Sequence, residues 1–203
     1  MYHNGTGHAA SVRTMMPFVL NPLNSADTIK KLEPVFADIH AYLLTLEPPK
    51  YPFPIDQKLA AQGLQLFKEN CAKCHGSYGR DGVYPSKVVP LDTIGTDRRL
   101  AEGTTEEAAA HYRKSWFAQE NGPDGKPFPR QTIRGYQAPP LDGVWASAPY
   151  FHNGSAPTVY HVLNSTARPK IFTRSYRTGK EDYDPVKLGW KVMVLDRPTQ
   201  SCR

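Results

Sequence analysis

Nineteen of the 203 residues are proline, close to twice the usual share of about 5%. Proline has no N–H to donate and fixes its own backbone, so it breaks helix interiors and is confined to the edges of sheets. Much of the chain must therefore be ordered loop. Only 39% of the residues are hydrophobic, so a loop-rich chain of this length needs something to fold around. Its size suits one domain, or one domain and part of another.

The stretch Phe67–Gly76, FKENCAKCHG, offers that something. Cys71 and Cys74 sit one helical turn apart, and His75 follows directly. Two thiols at this spacing reach the two vinyl groups on one edge of a haem, and the next residue then lies under the ring with its imidazole toward iron. The expectation is one covalent haem c, with Cys71 and Cys74 as thioether links and His75 as proximal iron ligand. A structural zinc site needs four N/S ligands, and there is no second Cys pair, although a distant histidine leaves zinc open. A thioredoxin-like dithiol sits in a strand-to-helix turn, whereas these cysteines end a helical pattern with no strand before them.

Helical periodicity runs from residue 25 to 47. Ser25 can cap, Pro34 restarts or kinks the helix, and Val35, Phe36, Ile39, Leu43 and Leu46 recur at three- and four-residue steps before Pro48 and Pro49 stop it. Asp56 opens a second helix that ends at the cysteine motif, with Leu59, Gly63, Leu66 and Phe67 on one face. A third helix is expected over GTTEEAAAHYRKSWFAQ, with Tyr112 and Trp116 as core positions, and a short one over SAPTVYHVLN with Pro157 in its first turn. No alternation lasts long enough to suggest a sheet. The expected fold class is all-α and loop-rich.

The net charge of +6 would suit an acidic partner or an anionic cofactor. The densest basic spots are pairs, Arg98-Arg99 and Arg113-Lys114, so a solvated face accounts for them better than nucleic acid does. Three cysteines make no disulfide framework, and Cys202 reads as a free terminal thiol or one half of an intermolecular bridge. No stretch approaches the roughly 18 apolar residues of a membrane span. Thioether attachment of haem takes place outside the cytoplasm, so a periplasmic or extracellular location is expected. The amino end lacks the marks of a secretory signal, which is then expected to be supplied elsewhere.

Three further stretches carry a resemblance: YLLTLEPPKYP at 42–52, IGTD at 94–97 and PPLDGVWASAPYFHNGSAPTVYHVLN at 139–164. Together with the haem motif they resemble the di-haem cytochrome c peroxidase superfamily, in particular the branch containing bacterial rubber oxygenases, over about residues 25–190. The resemblance implies a cytochrome c-like domain folded around its haem. It also implies that residues 1–49 are the helical tail of a preceding haem domain and residues 50–203 the carboxy-terminal haem domain. Family members carry a haem motif in each domain, and the haem that meets peroxide or oxygen belongs to the first. Here there is a single motif, and both ends look short against the family pattern.

The resemblance therefore implies a domain that transfers electrons as half of a di-haem protein, with a second haem domain or a separate redox protein as its partner. An oxidoreductase role would arise only within a longer or multi-chain assembly. The alternative is a haem peroxidase or oxygenase reacting at an open iron site; Glu120 and Asp142 are the acidic residues weighed for it, with solvated surface as their default. Function turns on what faces iron opposite His75. His152 in YFHNG is the candidate distal ligand or pocket residue, and Met193 in KVMVL is a weaker one. Arg134 and Tyr136 are candidates to bind a propionate, Trp145 is a candidate wall of the haem pocket, and His161 reads as a helix-face histidine.

Overall fold

The computed structural model describes residues 25–197 except 104, 108–109, 111–113, 115–120, 122–124 and 127–133. Most of the third expected helix, with Tyr112 and Trp116, lies outside the described residues, as do Glu120 and Cys202. The chain divides into two compact units, one made of residues 1–46 and 57–140, the other of 47–56 and 141–203.

In the first unit, helix α1 spans Ala26–Thr45. Ser25 caps it as its composition suggests, accepting a hydrogen bond from the Thr28 amide at 3.1 Å. Pro34 lies inside the helix, which runs on through it. The Leu46 amide closes the end on the Leu43 carbonyl, and Pro48-Pro49 follow. Helix α2, Gln57–Asn70, buries no residue of its own, and α3, Ala72–His75, continues from it after a break at Cys71.

Beyond α3, strand β1 (Val88–Pro90) leads into α4 (Leu91–Ile94), then α5 (Arg99–Glu102), and β2 (Gly135–Gln137) returns antiparallel to β1. The register pairs Val88 with Gln137, Val89 with Tyr136 and Pro90 with Gly135. Gly135 is required there, because a Cβ would run into the Val89 carbonyl oxygen. Leu91, Ala101 and Tyr136 form the buried cluster. Tyr136 also donates its hydroxyl to the Asp97 carbonyl at 2.8 Å and accepts from the Ala101 amide at 3.2 Å. These bonds tie α5 to β2.

The second unit holds helix α6 (Val159–Leu163) and two small antiparallel pairs: β3 (Phe172–Arg174) with β6 (Val192–Val194), and β4 (Tyr183–Asp184) with β5 (Gly189–Trp190). Its centre is aromatic. Phe53 stacks on Tyr183 at 5.4 Å, and Trp145 and Trp190 meet the same tyrosine edge-on at 5.8 and 6.0 Å. Tyr51 joins through Phe53 and Trp145. The polar tips are satisfied: Tyr183 donates to the Trp145 carbonyl, Trp145 Nε1 to Pro49 and Trp190 Nε1 to Ala148, each at 2.8 Å.

The all-α expectation is corrected by three two-stranded sheets. Each strand has two or three residues, too few to display the two-residue alternation by which a strand is recognised in sequence. β1 and β3 find their partners far along the chain, so no hairpin turn announces those pairs, and in the close pair β4–β5 each strand has only two residues. The expected first-turn position of Pro157 is also corrected: Thr158 is the N-cap of α6, and Pro157 precedes the helix, fully buried.

Candidate haem site

The motif is delivered by the end of α2. The Cys71 amide still bonds back to Phe67 at 2.8 Å, and the Cys71 carbonyl then accepts from both Cys74 and His75 at 3.0 Å. This tight turn puts Cys71, Cys74 and His75 on consecutive faces of one short helical segment. Both cysteines are half-buried free thiols. Phe67 packs against Tyr78 with ring centres 5.9 Å apart, which fixes the chain on either side of the motif.

Gly76 turns the chain away directly after His75. Its φ is +86°, and a Cβ there would meet the Val83 carbonyl oxygen, so only glycine fits. The loop that follows is closed by the Ser77 amide on Val83 O at 2.9 Å and the Val83 amide on Ser77 Oγ at 3.0 Å. Tyr78 donates its hydroxyl to the His75 carbonyl at 3.0 Å.

The imidazole itself is oriented by backbone. His75 Nδ1 lies 2.9 Å from the Pro139 carbonyl oxygen. A carbonyl can only accept, so Nδ1 carries the proton and Nε2 keeps its lone pair. A ring held this way leaves Nε2 as the nitrogen to face a metal, the usual outer support of a ligating histidine. Pro139 is held in turn. The Ala138 amide donates to Lys87 O at 2.9 Å, and Tyr84 donates to Ala138 O at 2.6 Å while accepting from Gln137 Nε2 at 2.8 Å. Burial pushes the Tyr84 phenol up, against the opposing pull of its Gln137 hydrogen bond, so the hydroxyl stays a donor at neutral pH. The β1–β2 register thus places the carbonyl that aims His75.

These residues fit a haem. The donor set combines two thiols for thioether links with one oriented imidazole, and Leu59 and Leu66, which share a face of α2, are more than half exposed. Among the described residues, no group of three or more His, Cys, Asp or Glu side chains is placed to hold a metal ion by itself. The zinc reading would need such a group.

Arg134 is exposed and serves through its carbonyl, which accepts from the Leu91 amide. Tyr136 is committed to Asp97 and Ala101, so its hydroxyl is a packing device. Trp145, His152 and Met193 belong to the second unit. Trp145 is half-buried in the aromatic cluster, and Met193 is 65% exposed on β6, opposite Thr173. Asp142 is exposed.

His152 is exposed in the turn between Tyr150 and Ala156. That turn is closed by the Tyr150 amide on Ala156 O at 2.7 Å, and Gly154 donates to Phe151 O at 3.2 Å. Beneath it Tyr150 is buried, its phenol pushed up to about 12 by burial. His161, expected on a helix face, is buried, with Nδ1 2.8 Å from Thr158 Oγ1.

Sequence reading missed Pro139, Tyr84, Gln137 and Gly76. A backbone carbonyl carries no side-chain signal, and the Tyr84–Gln137 bond depends on a strand pairing that short strands conceal. Gly76 had a signal: a glycine immediately after a helical turn is where a positive φ can end the helix.

Residues 135–173, which include Pro139 and the YFHNG turn, match the family model described as RoxA-like, cytochrome c-like. The uncharacterized protein y4iM of Sinorhizobium fredii is 36% identical over 176 residues, covering 76% of this chain and 38% of that protein. The uncharacterized protein y4iJ of the same organism is 28% identical over 200 residues, covering 71% of this chain and 33% of that protein. The chain thus spans well under half the length of these relatives. Its class is cytochrome c-like, with haem iron as the group such domains take. Within that class, the chain carries a RoxA-like haem domain. No described helix is long and apolar enough to cross a membrane.

Proposed function

We propose that the chain is a c-type cytochrome domain that binds one covalent haem and transfers electrons, as the carboxy-terminal half of a di-haem peroxidase- or oxygenase-like protein. In this reading residues 1–49 are the tail of a preceding haem domain and residues 50–203 the haem domain proper. One observation carries it: His75, next to two free thiols, is aimed by a carbonyl that lies inside the segment matching the cytochrome c-like family. The motif and the family match are separate stretches of sequence, and this hydrogen bond joins them.

Each residue has a distinct part. Cys71 and Cys74 supply the sulfurs of the thioether links, and His75 Nε2 supplies the proximal nitrogen. Pro139 O holds the Nδ1 proton and so raises the donor strength of Nε2. Haem bound here would supply one-electron exchange at iron, at a potential set by axial ligand and exposure. His152 is the proposed distal ligand or pocket residue, with Met193 the weaker choice, and Trp145 and Arg134 are proposed pocket contacts. Exchange takes place with a redox protein or a second haem domain, in the periplasm or outside the cell.

The test is an absorption and EPR spectrum of the chain produced with a cytochrome maturation system. One six-coordinate, low-spin haem per chain is expected. A high-spin haem with peroxide-dependent turnover would replace electron transfer with direct oxidative chemistry, and a folded chain without covalent haem would overturn the proposal.

A further inference from the structure

The turn that carries His152 has a shape its own sequence does not favour. Phe151 sits at φ +66°, in the left-handed region that bulky L-residues rarely enter. A residue held there is fixed by its surroundings. The backbone bonds between Tyr150 and Ala156 close the ends of the turn, and the Ser155 amide bonds to Asn153 Oδ1 at 3.1 Å. The ring of Phe151 is 42% exposed, so packing alone does not hold it.

Arg168 does. Its guanidinium carbon lies 4.8 Å over the centre of the Phe151 ring, within the range of a cation–π contact. Its Nε donates to the His161 carbonyl at 3.1 Å, which anchors the arginine to α6. That helix is itself fixed, with Thr158 as its cap and the Val159 and Tyr160 amides bonded to Leu188 O and Lys187 O at 2.8 and 3.1 Å. The planar fork of arginine can serve both contacts at once, whereas a lysine ammonium cannot reproduce that geometry.

We propose that Arg168 is a positioning residue: by clamping the Phe151 ring against α6 it sets the conformation of the 151–154 turn, and with it the direction in which His152 is presented. The consequence at iron rests on the reading of His152 as a distal residue; the clamp does not.

The experiment compares the haem-loaded full chain with Arg168→Ala, Arg168→Lys, Phe151→Leu and His152→Ala variants. Amide exchange at Gly154 and Ser155 should quicken about tenfold in Arg168→Ala, with Arg168→Lys in between. The Lys191 and Leu195 amides, bonded to Asp182 O and Ile171 O, should stay unchanged. Adding Phe151→Leu to Arg168→Ala should change little more, as expected for two members of one contact. Unchanged exchange at Gly154 and Ser155, or equal acceleration at Lys191 and Leu195, would overturn the clamp.

The haem spectrum supplies a second readout. Arg168→Ala should move the spin state in the same direction as His152→Ala. A shift in His152→Ala with none in Arg168→Ala would overturn the positioning role. No shift in either, with quickened exchange, would support the clamp and remove His152 from iron.

Discussion

The two compact units solve the same problem in different ways. The second unit, poor in regular structure, closes on its own aromatic side chains: Tyr51, Phe53, Trp145, Tyr183 and Trp190 touch one another, and their polar tips find backbone carbonyls or, in Tyr183, also lie under burial that drives the phenol well above its ordinary range. Among the described residues, the first unit has a longer helix but a smaller centre. Its α2 buries nothing, and its buried cluster is Leu91, Ala101 and Tyr136. The difference teaches that, among the described residues, packing is carried by short elements and loops more than by the long helix α2. One unit is organised by aromatic contacts, the other by a short motif whose residues are oriented for a prosthetic group.

The largest test of that contrast removes the thiols. Cys71→Ala with Cys74→Ala should abolish covalent haem entirely, measured as haem remaining on the chain after denaturing electrophoresis. Next comes the aromatic centre. Tyr183→Ala should destabilise the second unit by about 3–5 kcal/mol, as truncation of a buried aromatic does, read from exchange at Lys191 and Leu195. Haem should stay attached in that variant, because the link is made by cysteine alone.

A smaller effect is expected from Gly76→Ala. Its positive φ and the Val83 carbonyl in its path should cost about 1–2 kcal/mol locally, read as faster exchange of the Ser77 amide and a lower yield of haem-loaded chain. The smallest concerns pH. Burial, then Lys187 and Arg168, hold the His161 imidazole below its ordinary value of 6.5. The unfolded chain therefore binds this proton more readily than the folded one. Its contribution is full above about pH 6.5 and is lost as pH falls through the lower folded value. His161→Gln should flatten the stability of the second unit between neutral and mildly acidic pH, measured by denaturant titration at several pH values.

How much of this could be read from sequence divides along the same line. The cap at Ser25, the run of α1 to the proline pair, and α2 ending at the cysteines all follow local rules, and the structure has them. Cys71, Cys74 and His75 announce themselves by spacing. What was hidden is non-local: Pro139 reaches His75 only because Val88–Pro90 pairs with Gly135–Gln137, and three residues of strand leave no period to find. His161 is on the expected short helix, but its burial has no local signal, because a five-residue helix has no clear polar side. Arg168 had no local signal at all, since its role joins a turn to a helix end.

The central claim is that Cys71 and Cys74 carry a haem which His75 ligates. Its most direct measurement is the peptide mass map of the denatured, haem-loaded chain. Haem mass on the peptide containing both cysteines is the result predicted. A folded chain whose Cys71 and Cys74 peptide bears no haem after maturation would contradict it.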